Sequence, residues 1–291
     1  MTEADTLSRF MFENTPIRGE VVRLESTWLA VLERHDYPIA LRNILGELMA
    51  AAALLTATLK LDGALVLQIQ GDGLVSLLVV ECNSDMTMRA TAKWSDELPA
   101  KASLGALVGN GKCVITLLPS EGQSYQGVVP LEGDNIADII AGYMARSEQL
   151  DTVLWLACNA TNAAGILLQK LPDQPLQDDD DWNRITHLAS TVKPKELLEL
   201  PVQTLLHRLF FEEDVRLFEP QIVAFSCPCS RTGVANVLRM LGKEEIASLV
   251  DERKQIEVHC EFCNQRYEFD KIDAEQLFVT EIAAPGGETR H

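Results

Sequence analysis

Two short strings near the C-terminus constrain the fold of this chain most, SCPCS at 226–230 and HCEFCN at 259–264. They hold four of the seven cysteines, a C-x-C pair and, about thirty residues later, a C-x-x-C pair: Cys227, Cys229, Cys260 and Cys263. Buried, inert cysteines have no reason to occur twice at gaps of one and two residues. The strings are therefore predicted to form one site, which is a disulfide, a metal cage or a switch between the two.

Zinc is the ion that this cysteine pattern favours. Four sulfurs match the ligand number and softness of a tetrahedral thiolate site, and they close the cage, so that His259 is a neighbour and not a ligand. The spacing predicts one Zn²⁺ per chain with these ligands: Cys227, Cys229, Cys260 and Cys263. The region from 222 to the end is too short for a secure hydrophobic core. Loss of the metal is therefore predicted to unfold it.

The sequence outside the cysteine motifs predicts a cytoplasmic protein. No secretory signal is visible, and the longest apolar stretch, Leu48–Leu59, has twelve residues where a bilayer requires roughly 20. Static disulfides are rare in reducing compartments. Cys227 and Cys229 cannot bind zinc and form a disulfide at once, yet metal-bound thiolates do react with oxidants. A structural site and an oxidant-triggered switch both stay open at this point.

The charge of the chain argues against nucleic acid as a partner. The formal net charge is −18, and from residue 223 onward eight Lys and Arg stand against twelve Asp and Glu, a charge of −4. A zinc domain that binds a phosphate backbone needs a basic surface. We therefore expect neither nucleic acid nor a membrane as a partner.

The rest of the chain predicts an α+β fold with a mostly antiparallel sheet and packed helices. Predicted helices occupy Ser26–Glu33, Pro38–Lys60 and Asn135–Leu150, and the second is apolar on nearly all sides, which is typical of a core helix. Strands are predicted from alternating or β-branched runs. These strands are Glu20–Leu24, Ala64–Gln70, Leu74–Cys82, Met86–Trp94, Lys112–Ser120, Tyr125–Leu131, Thr152–Ala160 and Gly165–Leu171.

A change of composition marks the end of this first region. Leu171–Trp182 holds two prolines and four consecutive aspartates, and short helices separated by Pro194 and Pro201 follow, with Asp181 as the predicted cap of the first. Short helices are marginal by themselves. We predict a core domain at 1–177, a metastable helical linker at 178–221 and a small zinc domain with four cysteine ligands at 222–291.

Other signatures of chemistry are weak. Cys82, Cys113 and Cys158 lie in or beside predicted strands, where a small buried hydrophobe is the ordinary role. No motif argues for an enzyme. The alternative function is a zinc-dependent enzyme, or a thiol oxidoreductase using Cys260 and Cys263. A catalytic zinc needs an open ligand position, which four cysteine ligands do not leave, and an oxidoreductase usually has its C-x-x-C in a thioredoxin-like βαβ context, which this sequence lacks.

The chain resembles the redox-regulated 33-kilodalton heat-shock protein family of bacterial holdase chaperones. The resemblance covers essentially the whole chain and is carried by the cysteine spacing and by several motifs in the family's order. These are RFMFEN with RGEVV, LLTATLKLDG, LQIQGDG, LVGNGKCVITLLPSEGQSYQGVVPLEGD and YMARSEQL.

The resemblance implies a redox-regulated chaperone that works without ATP under oxidative stress and heat shock. In such proteins zinc is bound in the reduced, inactive state, and oxidants produce near-neighbour disulfides, here Cys227 with Cys229 and Cys260 with Cys263. The linker then unfolds, unfolding client proteins bind, and the active form is a homodimer. Pro228 restricts the backbone between the first pair, and its effect on disulfide formation stays open.

The resemblance also implies that apolar side chains of the linker cover the core in the reduced protein and bind clients once the linker is released. The candidates are Trp182, Ile185, Leu188, Leu197, Leu198, Leu205 and Leu209.

Overall fold

The computed structural model of the chain describes residues 5–59, 61–95, 97–100, 102–131, 133, 135–171 and 180–279. These residues belong to two compact units, Met1–Ser226 (unit 1) and Cys227–His291 (unit 2). The division into a core, a linker and a zinc domain stays a prediction, and 178–179 of the linker lie outside the described residues.

Unit 1 is built from groups of two or three strands that are separated along the chain by one to three helices. Its strands are β1 (Thr6–Phe12), β2 (Ile17–Leu24), β3 (Gly63–Gly71), β4 (Val75–Asn83), β5 (Thr87–Trp94), β6 (Gly111–Pro119), β7 (Tyr125–Pro130), β8 (Thr152–Cys158), β9 (Ala163–Lys170), β10 (Val215–Leu217), β11 (Gln221–Ile222) and β12 (Ala224–Phe225). Its helices are α1 (Ser26–Leu32), α2 (Ile39–Thr58), α3 (Leu104–Val108), α4 (Ile136–Tyr143, continued by a π-helical turn at Met144–Glu148), α5 (Asp181–Ser190), α6 (Pro194–Glu199) and α7 (Val202–Leu209).

The strands form two sheets. Sheet A has the order β10-β1-β2-β9-β8, with β11 also paired to β1, and sheet B has the order β12-β5-β4-β3-β6-β7. Within the described part of the chain, all pairings are antiparallel except that of β12 with β5. The predicted α+β class with mostly antiparallel strands is confirmed, although the prediction of one sheet is replaced by two.

Helix α2 lies between the two sheets and explains why two are needed. Fifteen of its twenty residues are buried, so that a single sheet could cover only part of its apolar surface. Ala50, Ala52 and Ala53 are fully buried, and Gly165 of β9 has no side chain where Leu54 packs. The small residues let sheet and helix approach closely. By length and composition α2 alone would pass as a membrane span, but 72% of its most apolar window is buried, as in the core helix of a globular protein.

The helices α5, α6 and α7 cover the opposite face of sheet A. Adjacent residues on β2 divide between the two faces, because Val22 packs toward α2 and Val21 packs toward these three helices. The ring of Phe210 meets those of Phe10 and Phe12 at centroid distances of 6.1 and 5.0 Å. Sheet A is therefore apolar on both sides.

Helices α5, α6 and α7 occur where the composition predicts short helices, and one detail of that prediction is wrong. The cap of α5 is Asp180, whose side chain makes no cap hydrogen bond, and Asp181 is already the first helical residue. Its carboxylate instead pairs with the guanidinium of Arg184 at 2.9 Å, one turn further on. The cap prediction was therefore wrong by one residue, and the carboxylate of Asp181 has a charged partner in place of a backbone amide.

Glu20 of β2 is a buried carboxylate in this core. It is 1% exposed, and its Oε2 atom has no hydrogen-bond partner among the described residues. Burial raises the pKa of Glu20 to about 7, although Arg18 and Arg9 oppose the shift. The folded state of unit 1 therefore prefers the protonated carboxyl group.

We expect unit 1 to lose stability as the pH rises from 4.5 to about 7. The raised pKa means that the Glu20 contribution is complete below the unfolded-state value and is lost as the pH passes the folded-state value, a difference of about 3 kcal/mol. All four tryptophans lie in unit 1, so their fluorescence during urea unfolding reports this unit. Glu20→Gln should remove that part of the pH dependence. An unchanged slope in the variant would contradict the assignment.

Candidate metal centre

Over its described residues, 227–279, unit 2 contains three helices and a hairpin. Its elements are α8 (Arg231–Leu241), α9 (Lys243–Arg253), β13 (Ile256–His259), β14 (Arg266–Phe269) and α10 (Lys271–Val279). Eight side chains form its buried cluster: Ala235, Leu238, Ile246, Val250, Ile256, Phe269, Ala274 and Leu277. Such a small core agrees with the expectation that a metal stabilises this region.

Local backbone structure positions each cysteine pair. Cys227 and Cys229 lie in a stretch without regular secondary structure that leads to Ser230, whose Oγ accepts the Gly233 N–H at 3.1 Å and caps α8. Cys260 begins the turn that joins β13 and β14. Its N–H donates to the Gln265 carbonyl at 3.0 Å. A helix start thus fixes one pair and a hairpin turn fixes the other.

The four sulfurs converge. The sulfurs of Cys227, Cys229, Cys260 and Cys263 all lie within 4.8 Å of one another. The Cys227–Cys260 and Cys229–Cys263 sulfurs are 3.7 and 3.3 Å apart. Four sulfurs at the corners of a tetrahedron around Zn²⁺ would be separated by about 3.8 Å. The donor set, the ligand number and the spacing therefore fit a zinc cage.

Electrostatics favour a cation at this point. Burial, the largest cause, together with hydrogen bonds with the sulfurs of Cys229, Cys227 and Cys260 raises the pKa of Cys263 to about 12, although the backbone hydrogen bond at Gln265 opposes the shift. Burial also raises the pKa of Cys260. Four thiolates this close repel one another unless a positive charge is shared among them. A divalent cation would displace the thiol protons and relieve that repulsion.

Tyr267 of β14 contacts this cluster. Its hydroxyl donates to the Cys229 sulfur at 3.1 Å, and this bond is the main reason why the pKa of Tyr267 is raised to about 12. A donor to a thiolate ligand stabilises the charged form of that ligand. Nothing in the spacing of the motifs marks this tyrosine, since its position depends on the register of the hairpin.

His259 is engaged away from the sulfurs. Its Nε2 lies 2.7 Å from a Glu257 carboxylate oxygen and its Nδ1 lies 3.1 Å from the Asn264 amide oxygen. Both ring nitrogens therefore have partners, and the ring is not among the four converging ligands.

The other three cysteines belong to unit 1. Cys82 and Cys113 are buried, and Cys158 is half-buried with its sulfur beside Gly46 of α2. Burial raises the pKa of each thiol, to about 12 for Cys82 and Cys113. Their environment is that of packed thiols with little thiolate character.

The predicted client-binding residues all lie on the three helices that cover sheet A. Five are buried there, namely Ile185, Leu197, Leu198, Leu205 and Leu209, while Trp182 and Leu188 are half-buried against the same cluster. Sequence reasoning missed Arg23 of β2, which donates to the carbonyls of Leu198 and Leu200 at 2.6 and 2.9 Å. An arginine within an apolar strand was the signal available for it.

The surroundings of the C-x-x-C pair weaken the oxidoreductase alternative. Cys260 and Cys263 lie in a hairpin turn followed by strand β14, whereas a reactive C-x-x-C cysteine gains its low pKa from a helix N-terminus. The pKa values of both thiols are raised.

Comparison with known proteins gives a consistent result along the whole chain. The model of the family described as Hsp33 protein matches residues 5–270. Proteins named 33 kDa chaperonin from Methylobacillus flagellatus and Chromobacterium violaceum are 57% and 48% identical, over all of this chain and 100% and 99% of theirs. The crystal structure of the 33 kDa chaperonin from Thermotoga maritima covers 96% of this chain and 100% of its own, with a TM-score of 0.84 at 23% identity. That likeness establishes the shared fold.

We expect Tyr267→Phe to weaken zinc binding about tenfold, because the Cys229 thiolate loses a hydrogen-bond donor. Competition with a chromogenic chelator measures the affinity. Tyr125→Phe, which removes the same hydroxyl from an exposed position on β7, is the matched control. Equal affinities in the two variants would show that Tyr267 does not support the site.

Proposed function

The chain belongs to the Hsp33 protein family, and from this premise we propose that it is a redox-regulated, ATP-independent holdase chaperone. It binds unfolding proteins in the cytoplasm during oxidative stress and heat shock, and it is not an enzyme. The observation that carries the proposal is the convergence of four half-buried cysteine sulfurs within 4.8 Å. Zinc at this site would cross-link α8 to the hairpin of unit 2 in the reduced state.

The proposed signal is oxidation of the ligand thiols. Cys227 and Cys229 form one disulfide and Cys260 and Cys263 the other. Each pair of thiolates gives up two electrons to one peroxide molecule, which takes up two protons from the solvent and becomes two waters. The geometry brings all four sulfurs close enough for exchange among them. Since a thiol in a disulfide no longer binds the metal, the pairing removes the cross-link of unit 2.

The proposed responder is the segment 178–221. Its helices α5, α6 and α7 have 10, 6 and 8 residues, lengths at which a helix depends on its tertiary contacts. Those contacts are with the outer face of sheet A, including Phe10 and Val21. Release of the helices would expose two apolar surfaces, the sheet and the helices themselves.

These surfaces supply the proposed client-binding site. Unfolding proteins expose apolar side chains without a common sequence, and a broad apolar surface binds them without requiring a specific motif. The candidate residues on the helix side remain Trp182, Ile185, Leu188, Leu197, Leu198, Leu205 and Leu209. The proposed active form is a homodimer, in which two such surfaces would act together.

Treatment of the reduced, zinc-loaded protein with peroxide at elevated temperature tests the whole proposal. We expect zinc release, two near-neighbour disulfides and a new ability to suppress aggregation of a denatured client, all on the same timescale. Equal suppression before and after oxidation would eliminate the switch. Retention of zinc with free thiols would leave the site purely structural.

A substitution in the linker tests its role without an oxidant. Leu205 is fully buried on α7, so Leu205→Asp places a charge in an apolar contact and should release the helices, giving client binding in the reduced, zinc-loaded protein. Thr204→Asp adds the same charge at an exposed neighbouring position and should stay inactive. Light scattering of an aggregating client measures both variants. The proposed surface would be contradicted if hydrogen exchange showed that the helices of the Leu205→Asp variant had lost their packing while the variant still bound no client.

A further inference from the structure

The chain between the linker and the first cysteine is fastened to the core immediately before unit 2 begins. After β10 and β11, the chain leaves sheet A and reaches sheet B as β12. The Ala224 N–H donates to the Met86 carbonyl at 3.1 Å and the Ser226 N–H to the Met88 carbonyl at 3.0 Å. Cys227 is the next residue. The last residue of unit 1 is therefore hydrogen-bonded to the core.

Val223 is the deepest point of this attachment. Its side chain is 1% exposed. Its N–H donates to the Asp5 carbonyl at 2.9 Å, and its carbonyl accepts the Thr27 hydroxyl at 3.3 Å. At Val223 the backbone crosses from sheet A to sheet B. Its N–H and its carbonyl both have hydrogen-bond partners there, although neither bond belongs to a regular β ladder.

Helix α1 supplies the side-chain part of the attachment. Thr27 lies in its first turn and binds Val223, and Arg34 just beyond its end places its guanidinium 4.1 Å from the centroid of the Phe225 ring. A cation over an aromatic face at this distance is attractive. The helix thus contacts the segment on both sides of Ala224.

Asp5 fixes α1 and the segment together. Its carboxylate accepts the N–H groups of Glu25, Ser26 and Thr27 at 3.1, 2.8 and 2.8 Å, while its own carbonyl accepts from Val223. Three backbone donors at the start of a helix, satisfied by one buried carboxylate, hold that helix in place. One residue therefore joins the N-terminus of α1 to the chain before Cys227.

We propose that Val223–Ser226 is a clamp, closed by Thr27 and Arg34 as positioning residues, that controls whether unfolding of unit 2 reaches the linker. The inference rests on the proposed function and concerns its regulation. Chain order places the clamp between Cys227 and the strands β10 and β11 that end the linker. Disorder that spreads along the chain from unit 2 must detach β12 from β5, and then Val223, before it reaches α7.

The clamp therefore separates two events. Oxidation and loss of the metal concern unit 2 alone, whereas release of α5, α6 and α7 requires opening of the clamp as well. A weaker clamp should speed the second event and leave the first unchanged. A residue with only a general structural role would instead destabilise all of unit 1.

The test uses the full-length, zinc-loaded protein and two readouts during peroxide treatment, zinc release to a chelator and hydrogen exchange of α5–α7. Thr27→Val keeps the shape of the side chain but loses the hydroxyl that binds the Val223 carbonyl, and Arg34→Gln removes the cation over Phe225. Each should make linker exchange roughly fivefold faster at an unchanged rate of zinc release. Arg34→Lys, which retains a cation, should restore most of the wild-type rate.

Thr58→Val is the matched control, because it also loses one hydroxyl bond to a carbonyl, that of Leu55 at the end of α2. The clamp would be overturned if hydrogen exchange of the linker were no faster in the Thr27 and Arg34 variants than in this control. It would also be overturned if exchange in β3 and β4 accelerated as much as in the linker, or if zinc release accelerated by the same factor as linker exchange. Client binding by oxidised wild-type protein is measured in parallel. Its absence would overturn the proposed function, whereas wild-type activation with unaltered variants would overturn the clamp alone.

Discussion

The burial of α2 is the constraint on which the rest of unit 1 depends. A helix that is apolar on nearly all sides must be enclosed, and two antiparallel sheets with small residues at the contact enclose it. Enclosure from two sides leaves each sheet with an outer face. On sheet A that face is apolar, as Phe10 and Val21 show, so it needs a second cover. The short helices α5, α6 and α7 supply it.

This arrangement joins a stable element to a marginal one. The core of α2 and the two sheets is one large continuous cluster of buried side chains, whereas the covering helices are short and hold their positions through one apolar face and a few polar contacts such as Arg23 with Leu198. Loss of the cover would cost far less free energy than loss of the core. The outer face of the sheet that stabilises the fold is thus one of the surfaces that we propose the protein exposes to bind clients.

Unit 2 differs from unit 1 in what is expected to stabilise it. Its buried apolar cluster is small, and its four cysteine sulfurs repel one another as thiolates unless a cation is present. The stability of unit 2 is therefore predicted to depend on the chemical state of these four side chains. Along the chain, the segment 223–226 lies between unit 2 and the helices that cover sheet A, and it is held in place through Asp5 and Thr27.

The sequence by itself determined most elements of unit 1 and the composition of the site, whereas β1, α3, β10–β12 and the elements of unit 2 were not predicted from it. Periodicity located α2 and most strands, and the gaps between Cys227 and Cys229 and between Cys260 and Cys263 identified the metal ligands to be tested, because both signals are local in the chain. Tertiary structure decided what local signals do not contain. The division into two sheets, the contact of Tyr267 with Cys229, and the meeting of Asp5, Thr27 and Val223 depend on strand order and register between residues far apart in sequence. No window of sequence carries that information, since it arises only when distant segments compete to bury the same apolar surface.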